Sequence, residues 1–303
     1  MDRIFFIVIF FFSFNSKADY LFSERQFEPS KIWVTNNGKP IEDFKHLLRQ
    51  LIKSGTGKKL LELANSKAKE QGHTFYDLLK VGNGSLTDTT LIRRFSPHDP
   101  NQITYKTESF VYLNRNLSQL DALLDLAHEL THFVYRKNFN PYLVNFTLDE
   151  FISNTIEGQG GEAKAFLTEC KVLFELYPSM KSKRHNCNDI VSSKSGALSF
   201  DLAVAKFYQL GNYYDNFVSM MKKKNLLHSF PKISDDKASF ISSAYGIPYP
   251  VAAFEEYLSV LNKVCENDKR RIAYLKADSG RSPASFSALE ESYSKRCEQT
   301  FSM

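Results

Sequence analysis

Apolar residues recur at helical spacing along most of this chain, and one central stretch changes the rhythm. Ile41, Phe44, Leu47, Leu48, Leu51 and Ile52 share one face of a 3.6-residue repeat and predict a helix over 41–53. A second helix is predicted from about Lys58 to Glu70. The intervening Ser54-Gly55-Thr56-Gly57-Lys58-Lys59 lacks the G-x-x-x-x-G-K spacing of a phosphate loop, so it reads as a helix–helix turn. Past the turn signal Gly82-Asn83-Gly84 the pattern switches. Leu86 to Phe95 is rich in threonine and β-branched residues, and Ile103 to Leu113 alternates and carries aromatics. These predict two antiparallel strands joined across Pro97 to Asn101.

The helical period returns at Leu120, Leu123, Leu124, Ala127 and Leu130, behind a capping pair formed by Ser118 and Asp121. This helix is predicted to stop before Asn140-Pro141. Leu148, Phe151, Ile152 and Ile156 predict a short helix, which Gly158-Gln159-Gly160-Gly161 ends. Ala163, Phe166, Leu167, Cys170, Leu173 and Phe174 predict the next, opening near Glu162. Residues 200–222 and 250–265 are helical by the same criterion, and 278–285 form a Ser/Gly/Pro loop before a last short helix. No internal repeat of fixed period stands out.

The elements predict an α+β, predominantly helical fold, with a small antiparallel sheet next to one long helix. Residues 19–80 form an N-terminal helical region whose first twenty or so residues are irregular, 81–180 a core, and 181–303 a C-terminal helical region packing on that core. With 303 residues, 43% hydrophobic and 24% charged, the chain has material for a sizeable core and is not of disordered composition.

Residues 1–18 read as a signal peptide. Met1-Asp2-Arg3 leads, Ile4 to Phe14 is apolar apart from Ser13, and Ser16-Lys17-Ala18 fits a cleavage site after Ala18. The apolar run is short for a membrane span, so an uncleaved anchor is the lesser reading. No other segment predicts a membrane span. The net charge of +5 is spread along the chain, and Lys222-Lys223-Lys224 and Lys181 to Arg184 read as solvated faces, so no nucleic-acid partner is expected. Four cysteines behind a signal peptide predict two disulfides, with three possible connectivities. The expected one is Cys170–Cys187 and Cys265–Cys297, which closes the shorter loops. Sequons at Asn83, Asn116 and Asn145 matter only in a glycosylating host.

The candidate chemistry lies at His128-Glu129-Leu130-Thr131-His132. Two histidines four apart on a helix project from one face, so both imidazoles can bind one zinc ion, and Glu129 can reach a water on it as general base. With seven histidines in the chain, this pattern arises by chance on the order of 0.01 times. A hydrolytic zinc site takes three protein ligands and keeps a position open. Glu162, opening a helix after Gly160-Gly161, is the first choice for the third, and Glu157 the runner-up. Asp125, one turn before His128, is a candidate to orient its imidazole. Tyr245, Tyr249, His228 and His185 are candidates for a second oxyanion donor.

LAHELTHFVY followed by the glutamate of GGEAKAF resembles the gluzincin branch of the zincin metallopeptidases, over roughly residues 103–175. The resemblance implies a zincin-like core, zinc held by His128, His132 and Glu162, and Glu129 as general base. No third histidine follows in the H-x-x-G-x-x-H manner of metzincins, and Phe166 stands where a thermolysin-like second shell would place Asp or Asn.

The leading expectation is a secreted or periplasmic zinc metallopeptidase acting on a peptide or protein. Two others compete with it. One is a secreted helical binding or surface protein with a structural or degenerate zinc site. The other is a hydrolase of cell-wall peptide crosslinks. An extended substrate would dock along the strand Thr107 to Leu113 if that strand is a sheet edge. The sequence sets no oligomeric state.

Overall fold

The computed structural model describes residues 26–35, 38–96, 102–137, 139–143, 146–182, 185–277 and 286–298. The expected signal peptide, the strand connection at Pro97 to Asn101, the loop 278–285 and the sequon asparagine Asn145 lie outside them.

Helices α1 (Pro40–Leu51), α2 (Gly55–Glu70) and the single turn α3 (Phe75–Leu78) form the N-terminal region. Pro40 occupies the first turn of α1, where its missing N–H costs nothing. The Ser54-Gly55-Thr56-Gly57 segment starts α2. Ser54 accepts a hydrogen bond from the Gly57 N–H, and the Ser54 and Thr56 hydroxyls both donate to Glu175. The turn is thereby a helix N-cap tied to a distant carboxylate.

Three strands follow: β1 (Leu79–Gly82), β2 (Leu86–Phe95) and β3 (Ile103–Asn114), in the order β1-β3-β2. β2 and β3 are antiparallel, from Leu86 opposite Tyr112 to Phe95 opposite Ile103. β1 pairs parallel to β3, Leu79 opposite Val111. The sheet is therefore mixed rather than antiparallel. β1 was not expected, because four residues carry too little alternation to register as a strand. The order also bears on the docking strand. β3 lies between β1 and β2, and Val111 and Tyr112 have partners on both sides, whereas Thr107 to Phe110 pair with β2 alone; β2 is an edge along its length.

α4 (Gln119–Tyr135) runs from the end of β3 through the middle of the molecule. Leu123, Leu126, Ala127 and Leu130 have no exposed surface. They pack among α1, α2, the sheet and α6 (Glu162–Leu176). The lead-in segment fixes the start of α4. The Gln119 N–H donates to the Lys31 carbonyl at 2.7 Å, the Leu120 N–H to the Pro29 carbonyl at 3.1 Å, and the Asp121 N–H to Ser118 Oγ at 3.2 Å. Three N–H groups of the first turn thus find acceptors. Trp33, 1% exposed, locks the lead-in down by donating its indole N–H to the Asn114 carbonyl.

α5 (Leu148–Ile156) and α6 follow α4, with the glycine loop between them. The helix expected over 200–222 is divided into α7 (Phe200–Phe207) and α8 (Tyr214–Lys223). Backbone groups of Tyr208, Leu210 and Gly211 bond to Ser234 and Asp236 instead of continuing the helical ladder. The helix expected over 250–265 extends as α9 (Tyr249–Ala277), and α10 (Ser287–Tyr293) leads into a last helical turn at Ser294–Glu298. Disulfides join Cys170 to Cys187 and Cys265 to Cys297, as the neighbour pairing expected. Among the described residues no helix is long and apolar enough to cross a membrane.

One small hairpin occurs twice, 50 residues apart. Val191-Ser192-Ser193-Lys194-Ser195-Gly196-Ala197-Leu198 precedes α7, and Ile241-Ser242-Ser243-Ala244-Tyr245-Gly246-Ile247-Pro248 precedes α9. In each, the first serine N–H donates five residues ahead and the glycine N–H donates back to that serine. Gly196 and Gly246 sit at φ of +65° and +69°, which side chains resist. The identity between copies is confined to S-S-x-x-G, too little to register as a repeat by sequence period. The second copy aims the start of α9, and with it Tyr249, at the candidate site.

Candidate metal centre

The site forms where α4 and α6 pack antiparallel. His128, Glu129 and His132 lie on one side of α4, and one ligand-type atom from each falls within 4.8 Å of the others. Glu162, in the first turn of α6, faces both imidazoles. Its Oε2 lies 3.3 Å from His128 Nε2 and its Oε1 3.4 Å from His132 Nε2. All three side chains are largely buried, at 17, 4 and 12% exposure for His128, His132 and Glu162.

The Nδ1 atoms point elsewhere. His132 Nδ1 lies 2.8 Å from the Gly160 carbonyl, and His128 Nδ1 lies 3.3 Å from Glu169 Oε2. With Nδ1 bonded behind it, each ring turns Nε2 toward Glu162, the orientation in which Nε2 is the atom available to a metal. Two Nε2 atoms and one carboxylate converging on one point fit the three-ligand set of a hydrolytic zinc site.

Gly160 enables this approach. A Cβ there would stand 2.0 Å from the Arg136 backbone nitrogen and 2.3 Å from its Cα. Only glycine lets the loop carbonyl reach His132 at the end of α4. Ala163 and Ala165, fully buried in the first turns of α6, keep that helix close to its neighbours.

Glu129 is 7% exposed. The Thr87 hydroxyl on edge strand β2 lies 2.8 Å from its carboxylate. Tyr249 contributes from the first turn of α9. It packs edge-on against Phe207, with its phenol near the charges of Glu162 and Glu129. Arg136, the residue that ends α4, reaches Glu162 Oε1 at 3.2 Å.

No family model, curated protein or solved structure matches this chain. The site therefore stands on its own geometry.

The electrostatics follow from burying so many charges together. Burial opposes a charge on His128, but hydrogen bonds to Glu162 and Glu169 prevail and hold its pKa well above the ordinary imidazole value. Burial likewise pushes Glu162 upward, and the two histidines outweigh it and hold the carboxyl well below its usual range. Burial raises the pKa of the Tyr249 phenol strongly, helped by the charges of Glu162 and Glu129, so the group stays a protonated donor. Burial pushes Asp125 up to about 6 against a hydrogen bond from Ser85, with the charges of Glu169 and Glu129 adding to the rise.

Other sequence candidates lie apart from this cluster. Glu157 accepts from the Tyr208 hydroxyl at 2.8 Å and pairs with Lys232, so both its oxygens are engaged away from the histidines. His228 stands 3.8 Å from Asp149 on an exposed surface. Tyr245 is 41% exposed at the tip of the second hairpin. His185 caps a short 3-10 turn by accepting from the Cys187 N–H. Asp125 lies in the cluster, but the carboxylate against His128 Nδ1 is that of Glu169.

Glu169 was overlooked in the sequence, although its position carries a signal. It lies seven residues after Glu162, two turns along the same face, which is where a helix antiparallel to α4 meets the earlier histidine. Thr87 has no such signal, since its contact with Glu129 spans 42 residues of chain.

Proposed function

We propose that this chain is a zinc-dependent peptide hydrolase of gluzincin type, with His128, His132 and Glu162 as metal ligands. The observation that carries the reading is the convergence of both Nε2 atoms on Glu162, each ring held from behind at Nδ1. When bound, zinc would lower the pKa of a water toward neutrality and polarise a substrate carbonyl. The protein groups do the rest. Glu129 takes the proton from the attacking water and passes it to the leaving amine. Thr87 holds the Glu129 carboxylate in place while it does so. The Tyr249 phenol, kept protonated by its surroundings, donates to the oxyanion that develops.

The substrate class follows from the edge strand beside the base. β2 carries Thr87 and leaves one side of its ladder unpaired among the described strands, a template for an extended peptide. The two disulfides are compatible with an oxidising compartment, which supports a secreted or periplasmic protein.

The test is Glu129→Gln. The variant is expected to bind one zinc per chain like the parent and to lose peptide hydrolysis. Parallel digestion of casein and of purified cell-wall peptide crosslinks reports which substrate is used. A folded parent protein that binds no zinc, or a variant that hydrolyses as fast as the parent, would overturn the reading.

A further inference from the structure

We infer that Arg136 is a positioning residue that fixes two of the proposed metal ligands at once, and this rests on the zinc reading above. Its guanidinium bridges the Gly160 carbonyl, which the second histidine also bonds, and the downstream glutamate. Nε donates to the Gly160 carbonyl at 3.3 Å, the same oxygen that lies 2.8 Å from His132 Nδ1. Nη2 donates to Glu162 Oε1 at 3.2 Å. One planar fork therefore ties the carbonyl that orients His132 to the carboxylate that would complete the site.

The position is built for this. Arg136 is the C-cap of α4, leaving the helix at ψ of 126°, so its backbone turns toward the glycine loop. Gly160 approaches so closely that its missing Cβ would overlap the Arg136 backbone. His132, Arg136, Gly160 and Glu162 thus form one closed unit across the end of α4 and the start of α6.

Charge complementarity gives the second half of the argument. Glu162 is 12% exposed, and the guanidinium stands 3.2 Å from the carboxylate oxygen nearer His132, where it keeps the side chain turned toward both imidazoles. A lysine keeps the charge but cannot span both acceptors. A glutamine keeps donors but removes the charge.

A different role for Arg136, as anchor for a substrate carboxylate, is disfavoured because Nε and Nη2, the edge of the guanidinium that faces the site, already point at Gly160 and Glu162. A purely structural role as helix terminator predicts a loss of stability without a change in the site.

The experiment measures zinc affinity by competition with a chromophoric chelator, for the parent, Arg136→Lys and Arg136→Gln, well below the melting temperature of each. Thermal unfolding of the metal-free proteins is followed alongside. The expected result is roughly a 10- to 100-fold weaker zinc affinity for Arg136→Gln, with a smaller loss for Arg136→Lys. Equal affinities in all three proteins overturn the inference, whatever happens to the melting temperature. So does a pattern in which the variants bind zinc normally and only raise KM for peptides with a free C-terminal carboxylate. A parent protein that binds no zinc overturns instead the reading on which the inference rests.

Discussion

Thr87 and Glu129 meet through a single hydroxyl: Thr87 Oγ1 lies 2.8 Å from the Glu129 carboxylate and 2.8 Å from its main-chain carbonyl. The contact joins an edge strand to the central helix and orients the group proposed to move protons. Thr87→Val keeps the shape of the side chain and removes the hydrogen bond. We expect hydrolysis to fall roughly 10-fold or more, the value of one hydrogen bond to a charged group, with zinc content unchanged. Steady-state kinetics with metal analysis on the same samples checks this. A loss of zinc in step with activity would instead place Thr87 in the metal site.

Glu169 acts on His128, one of the proposed ligands. Its carboxylate lies 3.3 Å from His128 Nδ1, so it sets the orientation of that ring from behind. Glu169→Ala is expected to weaken zinc binding roughly 10- to 100-fold, the usual effect of losing such a partner. Chelator competition measures it. An unchanged affinity would mean that packing alone holds the ring.

How much of this was legible in the sequence depends on the range of the interaction. The strand bounds Leu86 and Phe95, the start of α4 behind Ser118 and the start of α6 at Glu162 are set by local period and capping, and they were readable. The histidine pair and Glu129 were readable because a helix fixes their spacing. Glu162 was preferred because Gly160-Gly161 announced a close backbone approach, and that approach is present at Arg136. Thr87, Arg136 and the central place of β3 were not readable. Each depends on which elements become neighbours, and no local pattern encodes that. The parallel strand β1 and the twice-used hairpin were missed because each is only a few residues long.

Asp125 offers a pH test. Burial raises its pKa from the ordinary 3.8 to about 6, which means the fold disfavours its ionised form. Its contribution to stability is greatest below pH 3.8, falls as pH rises toward 6, and is lost above that. Asp125→Asn removes the charge and keeps a group that can bond Ser85. In chelator-treated protein the variant should be more stable than the parent at pH 8, by about 1–3 kcal/mol. The advantage should shrink toward zero near pH 4. Denaturant unfolding of both proteins across this range decides it, and a difference that does not change with pH would sink the argument.

Asp268 bears on whether the edge strand stays in place. It has no exposed surface and sits between two arginines, with Arg93 Nη1 at 2.5 Å and Arg296 Nη2 at 2.7 Å. Arg93 comes from β2 and also lies over the ring of Tyr142, 3.9 Å from its centroid. Arg296 comes from the C-terminal segment, one residue before the Cys265–Cys297 disulfide, and donates to the Tyr142 carbonyl at 2.6 Å. α9, the edge strand and the C-terminus are thus joined at one buried carboxylate. Asp268→Ala strands two guanidinium groups that are 9 and 10% exposed, and should destabilise the protein by about 3–5 kcal/mol. Replacing all three together, Asp268→Leu with Arg93→Met and Arg296→Met, should cost far less, because no charge is left unpaired. Denaturant unfolding of the two variants checks the contrast. If the triple variant is as unstable as Asp268→Ala, the charges are not the cause, and packing around Tyr142 must be holding the strand.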